Sequence, residues 1–259
     1  MAKSSGFLIL YTSPRQAWIL LLLVIGVLTL AGIAARVTIL ATQDPGSVEL
    51  ARRFDLDVEH NIPTWFASTA LLAAAMLLGV VARGRWRLHA ADRRHWAGLA
   101  IVFTLLSLDE AVQLHEMLRL PMHRWFDLHG IFLFAWVIPA FIAVVLFAAV
   151  YLRFWLRLPS RTRMLFMVSG LLYVGGALGL ELAGGALATS HGFESLRYSV
   201  VMIVEEVMEM VGVALFVYAL LDHVRGETGA FTLALADDIE GDARMAASRW
   251  TAGAPAIAD

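Results

Sequence analysis

Ser107-Leu108-Asp109-Glu110-Ala111-Val112-Gln113-Leu114-His115-Glu116 is the stretch on which the reading of this chain turns. It continues an apolar run, Ala97 to Leu106, that is long enough to start across a bilayer, and then adds three carboxylates, an amide and an imidazole. On a continuous helix, at about 100° per residue, Asp109, Gln113 and Glu116 share one face, Glu110 lies at its edge and His115 points elsewhere. A charged side chain at the centre of a membrane helix costs about 2.5–3.5 kcal/mol on the insertion scale. Such residues persist where they are paired, protonated or bound to a cation. Glu205-Glu206-Val207-Met208-Glu209 repeats the pattern inside a second apolar run, and Glu181 stands in a third.

Working outward, apolar residues make up 59% of the 259-residue chain, which excludes an ordinary soluble domain and fits a polytopic membrane protein. Cysteine is absent, so disulfides and thiolate metal sites are excluded. A metal site would have to use carboxylate, imidazole, amide or carbonyl ligands, which suit iron, manganese, zinc, calcium or magnesium. The basic residues sit in loops beside apolar runs, so a nucleic-acid function has no support.

Six runs reach the roughly 20 residues needed to span: Ala17–Leu40, Pro63–Ala82, Trp96–Leu118, His129–Leu152, Met164–Ala188 and Tyr198–His223. Backbone groups in lipid must be satisfied internally, so all six are expected to be helices, giving an all-α polytopic bundle. Asn61 is a natural cap for the second span, with Pro63 in its first turn. Pro121 helps end the third, and Pro139 is expected to kink the fourth. Gly170, Gly175, Gly176, Gly179, Gly184 and Gly185 give the fifth a small-residue face for close helix packing.

Arginines Arg83, Arg85, Arg87, Arg93 and Arg94 lie between spans two and three, and Arg153, Arg157, Arg161 and Arg163 between spans four and five. The positive-inside rule places both loops, and with six spans both termini, in the cytoplasm. Residues 1–225 then form the transmembrane domain. Residues 226–259 form a flexible cytoplasmic tail, with a short helix near Asp242–Trp250. In this topology Glu59, His60, Asp109 to Glu116, Glu181 and Glu205 to Glu209 all fall on the outer side, at overlapping depth.

The motifs Asn61-Ile62-Pro63-Thr64-Trp65-Phe66, Ser107-Leu108-Asp109-Glu110-Ala111 with His115-Glu116, and Glu205-Glu206 with Glu209 resemble those of a group of uncharacterised bacterial multi-pass membrane proteins. The resemblance covers about residues 17 to 223. It implies a multi-pass protein of the bacterial inner membrane and supports taking the three motifs as one unit; it implies no activity.

Carboxylates gathered in low dielectric cannot all stay ionised, so protons are shared or cations occupy the site. Four-helix carboxylate proteins hold two iron or manganese ions in this way, but their Glu-x-x-His spacing is absent: Gln113 follows Glu110 by three, and Glu209 follows Glu206 by three. The expected function is therefore that of a membrane-embedded metal-dependent enzyme, of which a di-metal centre is one form. Asp109, Glu116, Glu205 and Glu209 are the expected ligands of iron, manganese or zinc. Glu110, Gln113, His115, Glu181, Glu206, Glu59 and His60 are the candidate further ligands or proton carriers. The expected partners are the bilayer and a lipid-soluble substrate or other membrane subunits. The alternatives are a cation- or proton-coupled transporter and an accessory subunit of a membrane complex. A blander reading pairs single acids with Arg119, Arg197 or Tyr198, and takes Trp65, Trp125 and Trp136 as interfacial or packing aromatics.

Overall fold

The computed structural model describes residues 13–118, 122 and 129–228, with short pieces at 9–10 and 233–234. The first helix, α1 (Pro14–Ala41), starts on a capping box in which Ser13 Oγ accepts from Gln16 N–H at 3.1 Å and Ser13 N–H donates to Gln16 Oε1 at 3.2 Å. A short helix, α2 (Pro45–Arg52), is capped by Asp44, whose Oδ2 accepts from Ser47 N–H at 2.8 Å. Asn61 caps α3 (Ile62–Arg87) as its sequence suggests, accepting from Thr64 N–H at 3.2 Å, and its own amide donates to the carbonyls of Asp55 and Val58. One residue thus starts a span and closes the loop before it.

The remaining helices are α4 (Arg93–Val112), α5 (Val137–Arg157), α6 (Ser160–Val174), α7 (Glu181–His191) and α8 (Leu196–Thr228). A π-helical segment, Gly175–Leu180, joins α6 to α7. A two-residue antiparallel pairing joins Ile9–Leu10 to Leu233–Ala234. The described residues otherwise form helices and their connections, and among them five helices are long and apolar enough to cross a membrane: α1, α3, α4, α5 and the continuous stretch Ser160–His191. Leu20, Leu23, Val27 and Leu30, one stripe of α1, are each more than 60% exposed. An apolar stripe of that length suits lipid rather than water.

Helix α8 is the one the others surround. Met210, Val213, Ala214, Phe216, Val217, Ala219, Leu220 and Leu221 are all buried along it. One end of the bundle is closed by an apolar cluster that includes Leu78, Trp96, Phe154, Phe216 and Leu220. Toward the other end α6 and α8 cross closely at Gly212, whose carbonyl accepts from Ser169 Oγ at 2.9 Å. Reciprocal hydrogen bonds of 2.8 Å, from Ser68 Oγ to the Ser107 carbonyl and from Ser107 Oγ to the Ser68 carbonyl, fasten α3 to α4 just before Asp109.

Five expectations need correction. The third span does not run to Leu118: α4 stops at Val112, and Gln113 is left-handed (φ 58°, ψ 48°). The cause is Asp109, whose carboxylate captures the His115 N–H at 2.8 Å and turns the chain back on itself. His115 therefore faces Asp109 instead of pointing elsewhere, and the shared helical face of Asp109, Gln113 and Glu116 does not form. Regular helix in the fourth span begins at Val137, after a turn opened by Gly130 at φ 64°. Pro139 consequently sits in the first turn of α5, where its missing N–H costs nothing, and is no interior kink. Pro121 and most of the proposed tail, including Asp242–Trp250, lie outside the described residues; residues 226–228 continue α8.

A Cβ placed on Gly212 would lie 2.8 Å from the backbone nitrogen of Tyr173 and 3.1 Å from the carbonyl oxygen of Ser169. Gly212→Val should therefore force α6 off α8 and cost about 1–3 kcal/mol, the usual range for overpacking. Thermal unfolding in detergent should show a lower midpoint than the parent, and an unchanged midpoint would mean that the helices are not this close.

Candidate functional site

The loop between α2 and α3, the end of α4, the first residue of α7 and the first half of α8 meet around a cavity of about 550 Å³. Asp57 and Glu59 reach it from the loop, and Asp109, Glu110 and Glu116 from the end of α4 and the turn after it. Glu181 comes from α7 and Glu205, Glu206 and Glu209 from α8, and Gln113 and His115 complete the predicted set on the wall. Every residue singled out in the sequence therefore lines this cavity, with the exception of His60, which is exposed.

The deepest pair is Glu181 and Glu205, 7% and 4% exposed. Their carboxyls lie within reach of each other. A carboxylate has no donor, so two of them this close call for a shared proton or a cation. Trp136 Nε1–H donates to Glu181 Oε1 at 3.0 Å. Glu205 Oε2 is buried with no donor reaching it among the described residues. The π-helical segment ends at Glu181 and thereby sets its direction, and π-bulges of this kind recur at functional sites. Gly176 in that segment lets α8 approach: a Cβ there would lie 2.9 Å from Glu209 Cγ and 3.0 Å from the Glu205 carbonyl oxygen.

At the end of α4, Asp109 Oδ2 meets His115 Nδ1 at 2.9 Å while Oδ1 takes the His115 backbone N–H, so both Asp109 oxygens are engaged by one residue. The other ring nitrogen, Nε2, faces Glu59 Oε1 at 3.9 Å, and the imidazole lies against the Trp136 ring at 4.6 Å between centroids. Asp109, His115 and Glu59 thus form a line along the wall, braced by the same tryptophan that binds Glu181.

Arg36, which the sequence reading passed over, holds the loop in place. Its guanidinium reaches Asp57 Oδ2 at 3.0 Å, Asp55 Oδ2 at 3.3 Å, Ser199 Oγ at 2.9 Å and the Phe193 carbonyl at 2.7 Å. Tyr198 Oη–H donates to Asp57 Oδ1 at 2.8 Å. The available signal was the lone cation in Ala34-Ala35-Arg36-Val37, as costly in an apolar run as a lone acid. Trp136, read as packing, is a hydrogen-bond donor to the site. Arg197 goes to His191 at 2.8 Å and takes no acid among the described residues.

In the loop, burial raises Asp57 above the ordinary aspartate value, against the opposing pull of Tyr198 and Arg36. Partial desolvation pushes Glu59, whose side chain stays 40% exposed, up to about 7, with the attraction of His115 opposing and the charges of Glu116, Glu181 and Asp109 adding. For His115 burial acts downward, but the hydrogen bond and charge of Asp109, with Glu59 and Glu116, outweigh it and the imidazole titrates above its usual value. No three His, Asp or Glu side chains among the described residues converge as a ready metal cage in the arrangement seen.

A helical membrane protein with an acidic cavity between its helices is the class that fold and site define. Residues 12–224 match the family described as Domain of unknown function (DUF8692), and the chain belongs to it. No curated protein and no solved structure matches the chain.

Glu59, Asp57 and His115 all bind protons more tightly in the folded state than in the unfolded one, so each favours unfolding as pH rises. For Glu59 the loss falls between the ordinary glutamate value and about 7. The His115 contribution is complete below about 6.5, its unfolded value, and is lost through its higher folded value. The unfolding midpoint should therefore fall from about pH 5 to about pH 8. Glu59→Gln should flatten that fall. A midpoint that rises over this range, or a variant with the parent's slope, would contradict the assignment.

Proposed function

We propose that the acidic cavity binds a divalent metal ion, iron, manganese or zinc, in exchange for protons, and that the chain is a metal-dependent membrane enzyme. The observation that carries this reading is the Glu181–Glu205 pair: two buried carboxyls within reach of each other, with one Glu205 oxygen that no donor among the described residues reaches, beside Glu206 and Glu209. Carboxyls that pair through protons form a cage only when a cation displaces those protons, which is why metal binding and proton release are linked. Glu181, Glu205 and Glu209 are the assigned ligands, with Glu206, Glu110 and Glu116 within the same wall. Asp109 passes from ligand to orienting partner, because His115 engages both its oxygens. Arg36 is already committed to Asp55 and Asp57, so it does not neutralise the inner acids. A bound cation would act as Lewis acid or redox centre on a lipid-soluble or periplasmic substrate.

The transporter alternative needs a polar path through the bundle. The end opposite the cavity is closed by Leu78, Trp96, Phe154, Phe216 and Leu220, which weighs against it.

The chain is further read as a six-span protein of the bacterial inner membrane, with α8 as the sixth span. Its 33 residues extend about 50 Å at 1.5 Å per residue, ample for a bilayer. Ala17 near the start of α1 packs in the same cluster as Leu221 near the end of α8, so both ends of the bundle's chain lie on one side, as an even span number requires. The arginine-rich loops make that side cytoplasmic. A reporter after Arg225 should read cytoplasmic and one between Gly192 and Glu194 outside, and the reverse readings would turn the cavity toward the cytoplasm.

Replacing Glu205 and Glu209 together with Gln keeps shape and removes two negative charges. Metal content of the detergent-purified protein should drop to background while a monodisperse, helical protein remains. A parent that stays metal-free after supply of iron, manganese and zinc would end the proposal.

A further inference from the structure

The end of the bundle opposite the cavity is rich in arginine, and its arginines fall into two groups. In the first group the charge is already met. Arg161 donates to Asp222 Oδ2 at 2.7 Å, and Arg85 lies 3.8 Å from Asp92 Oδ2. Arg93 stands over the Trp86 ring at 5.1 Å, and Arg163 over the Trp155 ring at 5.7 Å. The second group is Arg83 and Arg87 on α3, Arg94 on α4, and Arg153 and Arg157 on α5. All are exposed, and none has a hydrogen-bonding or acidic partner among the described residues.

The fold brings the second group together. Residues 88–92 join the end of α3 directly to the start of α4. Phe154 packs on His95 and Trp96 at 5.1 and 5.2 Å between ring centroids, so the end of α5 lies against the same turn of α4. Three adjacent helices thus present unpaired guanidiniums at one end.

Each of these arginines also continues an apolar stripe. On α3, Met76, Val80, Arg83 and Arg87 follow at spacings of four, three and four, which keeps them on one face. On α5, Ile142, Leu146 and Val150 lead in the same way to Arg153 and Arg157. Helix α4 runs the other way, from Arg94 to Ile101, Leu105 and Leu108. Every apolar residue in these stripes is more than 40% exposed. An exposed apolar stripe on a spanning helix suits lipid, so the guanidiniums at its end stand at the level of the headgroups.

We infer that this end of the bundle binds an anionic phospholipid, its phosphate on the guanidiniums of Arg87, Arg94 and Arg153 and its acyl chains along the stripes of α3, α4 and α5. A guanidinium meets a phosphate through two parallel N–H donors, which makes the pair directional as well as charged. A water-soluble phosphate would leave the apolar stripes unused. An acidic protein segment, such as Asp237, Asp238, Glu240 and Asp242 of this chain, would meet the arginines but not the stripes. The site lies apart from the acidic cavity and does not depend on the metal reading.

The test uses the full chain in neutral detergent, with bound lipids counted by native mass spectrometry. Phosphatidylglycerol and phosphatidylcholine of equal acyl chains are supplied in competition. Phosphatidylglycerol should bind at least about tenfold more tightly, since each arginine near the surface adds to the attraction of an anionic head. Arg87→Gln together with Arg94→Gln should bring that ratio close to one. Arg15→Gln together with Arg225→Gln removes the same charge from exposed arginines at the same end but off the three stripes. That pair should leave the ratio within about twofold of the parent. Equal loss in both pairs would mean a diffuse field and overturns the inference. Glycerol phosphate that displaces phosphatidylglycerol at equal concentration overturns it too, because a free phosphate would then suffice. So does selectivity that emerges only in the variant Asp237→Asn, Asp238→Asn, Glu240→Gln, Asp242→Asn, because the chain's own acids would then be the occupant. Should the first pair fail to fold, the parent's ratio and the glycerol phosphate competition decide.

Discussion

Carboxylates brought together out of water cannot all keep their charge, and the arrangement around this cavity depends on that constraint. Each acid taken singly could be an interfacial residue. Gathered around one cavity from the α2–α3 loop, α4, α7 and α8, they leave two physical outcomes, shared protons or a bound cation. Glu181 and Glu205 are where the constraint is sharpest, since two buried carboxyls within reach of each other call for a shared proton or a cation. Glu205 Oε2, which no donor among the described residues reaches, marks where a cation would add most.

The rest of the fold serves to hold these groups at one level. Close approach at Gly176 and Gly212 seats α6 and the π-helical segment on α8, so that Glu181 and Glu205 meet. The serine pair Ser68 and Ser107 fixes α4 on α3, and the turn at Gln113 then swings His115 back onto Asp109. Arg36 fastens the loop that carries Asp57 and Glu59 across the top of α8. Charge and packing are therefore coupled. The largely shielded guanidinium has four partners, and two of them, Asp55 and Asp57, belong to the loop that forms part of the cavity wall.

Much of this was legible in the sequence, for definite reasons. Apolar runs of spanning length announce helices because lipid permits little else. The acids stood out because a charge there is costly, and all eight of them, with Gln113 and His115 beside them, line one cavity. What could not be read was direction. The face shared by Asp109, Gln113 and Glu116 assumed an unbroken helix, and a single side chain, Asp109, ended that helix by competing for a backbone N–H. Pro139 was misjudged because the start of α5 depends on Gly130 and the turn before it, which hydropathy does not register. Arg36 was overlooked although the same cost argument applied to it. The role of Trp136 as a donor to Glu181 depends on a contact across 45 positions of sequence, which no local pattern encodes.

The most direct measurement of the central claim is the number of protons released when a divalent ion binds. Titration calorimetry of the detergent-purified chain with manganese or zinc, in two buffers of different ionisation enthalpy, counts them. Release of at least one proton per ion, reduced in Glu205→Gln, is the expected result. Binding without proton release, or no binding at any pH at which the chain stays folded, would contradict the account.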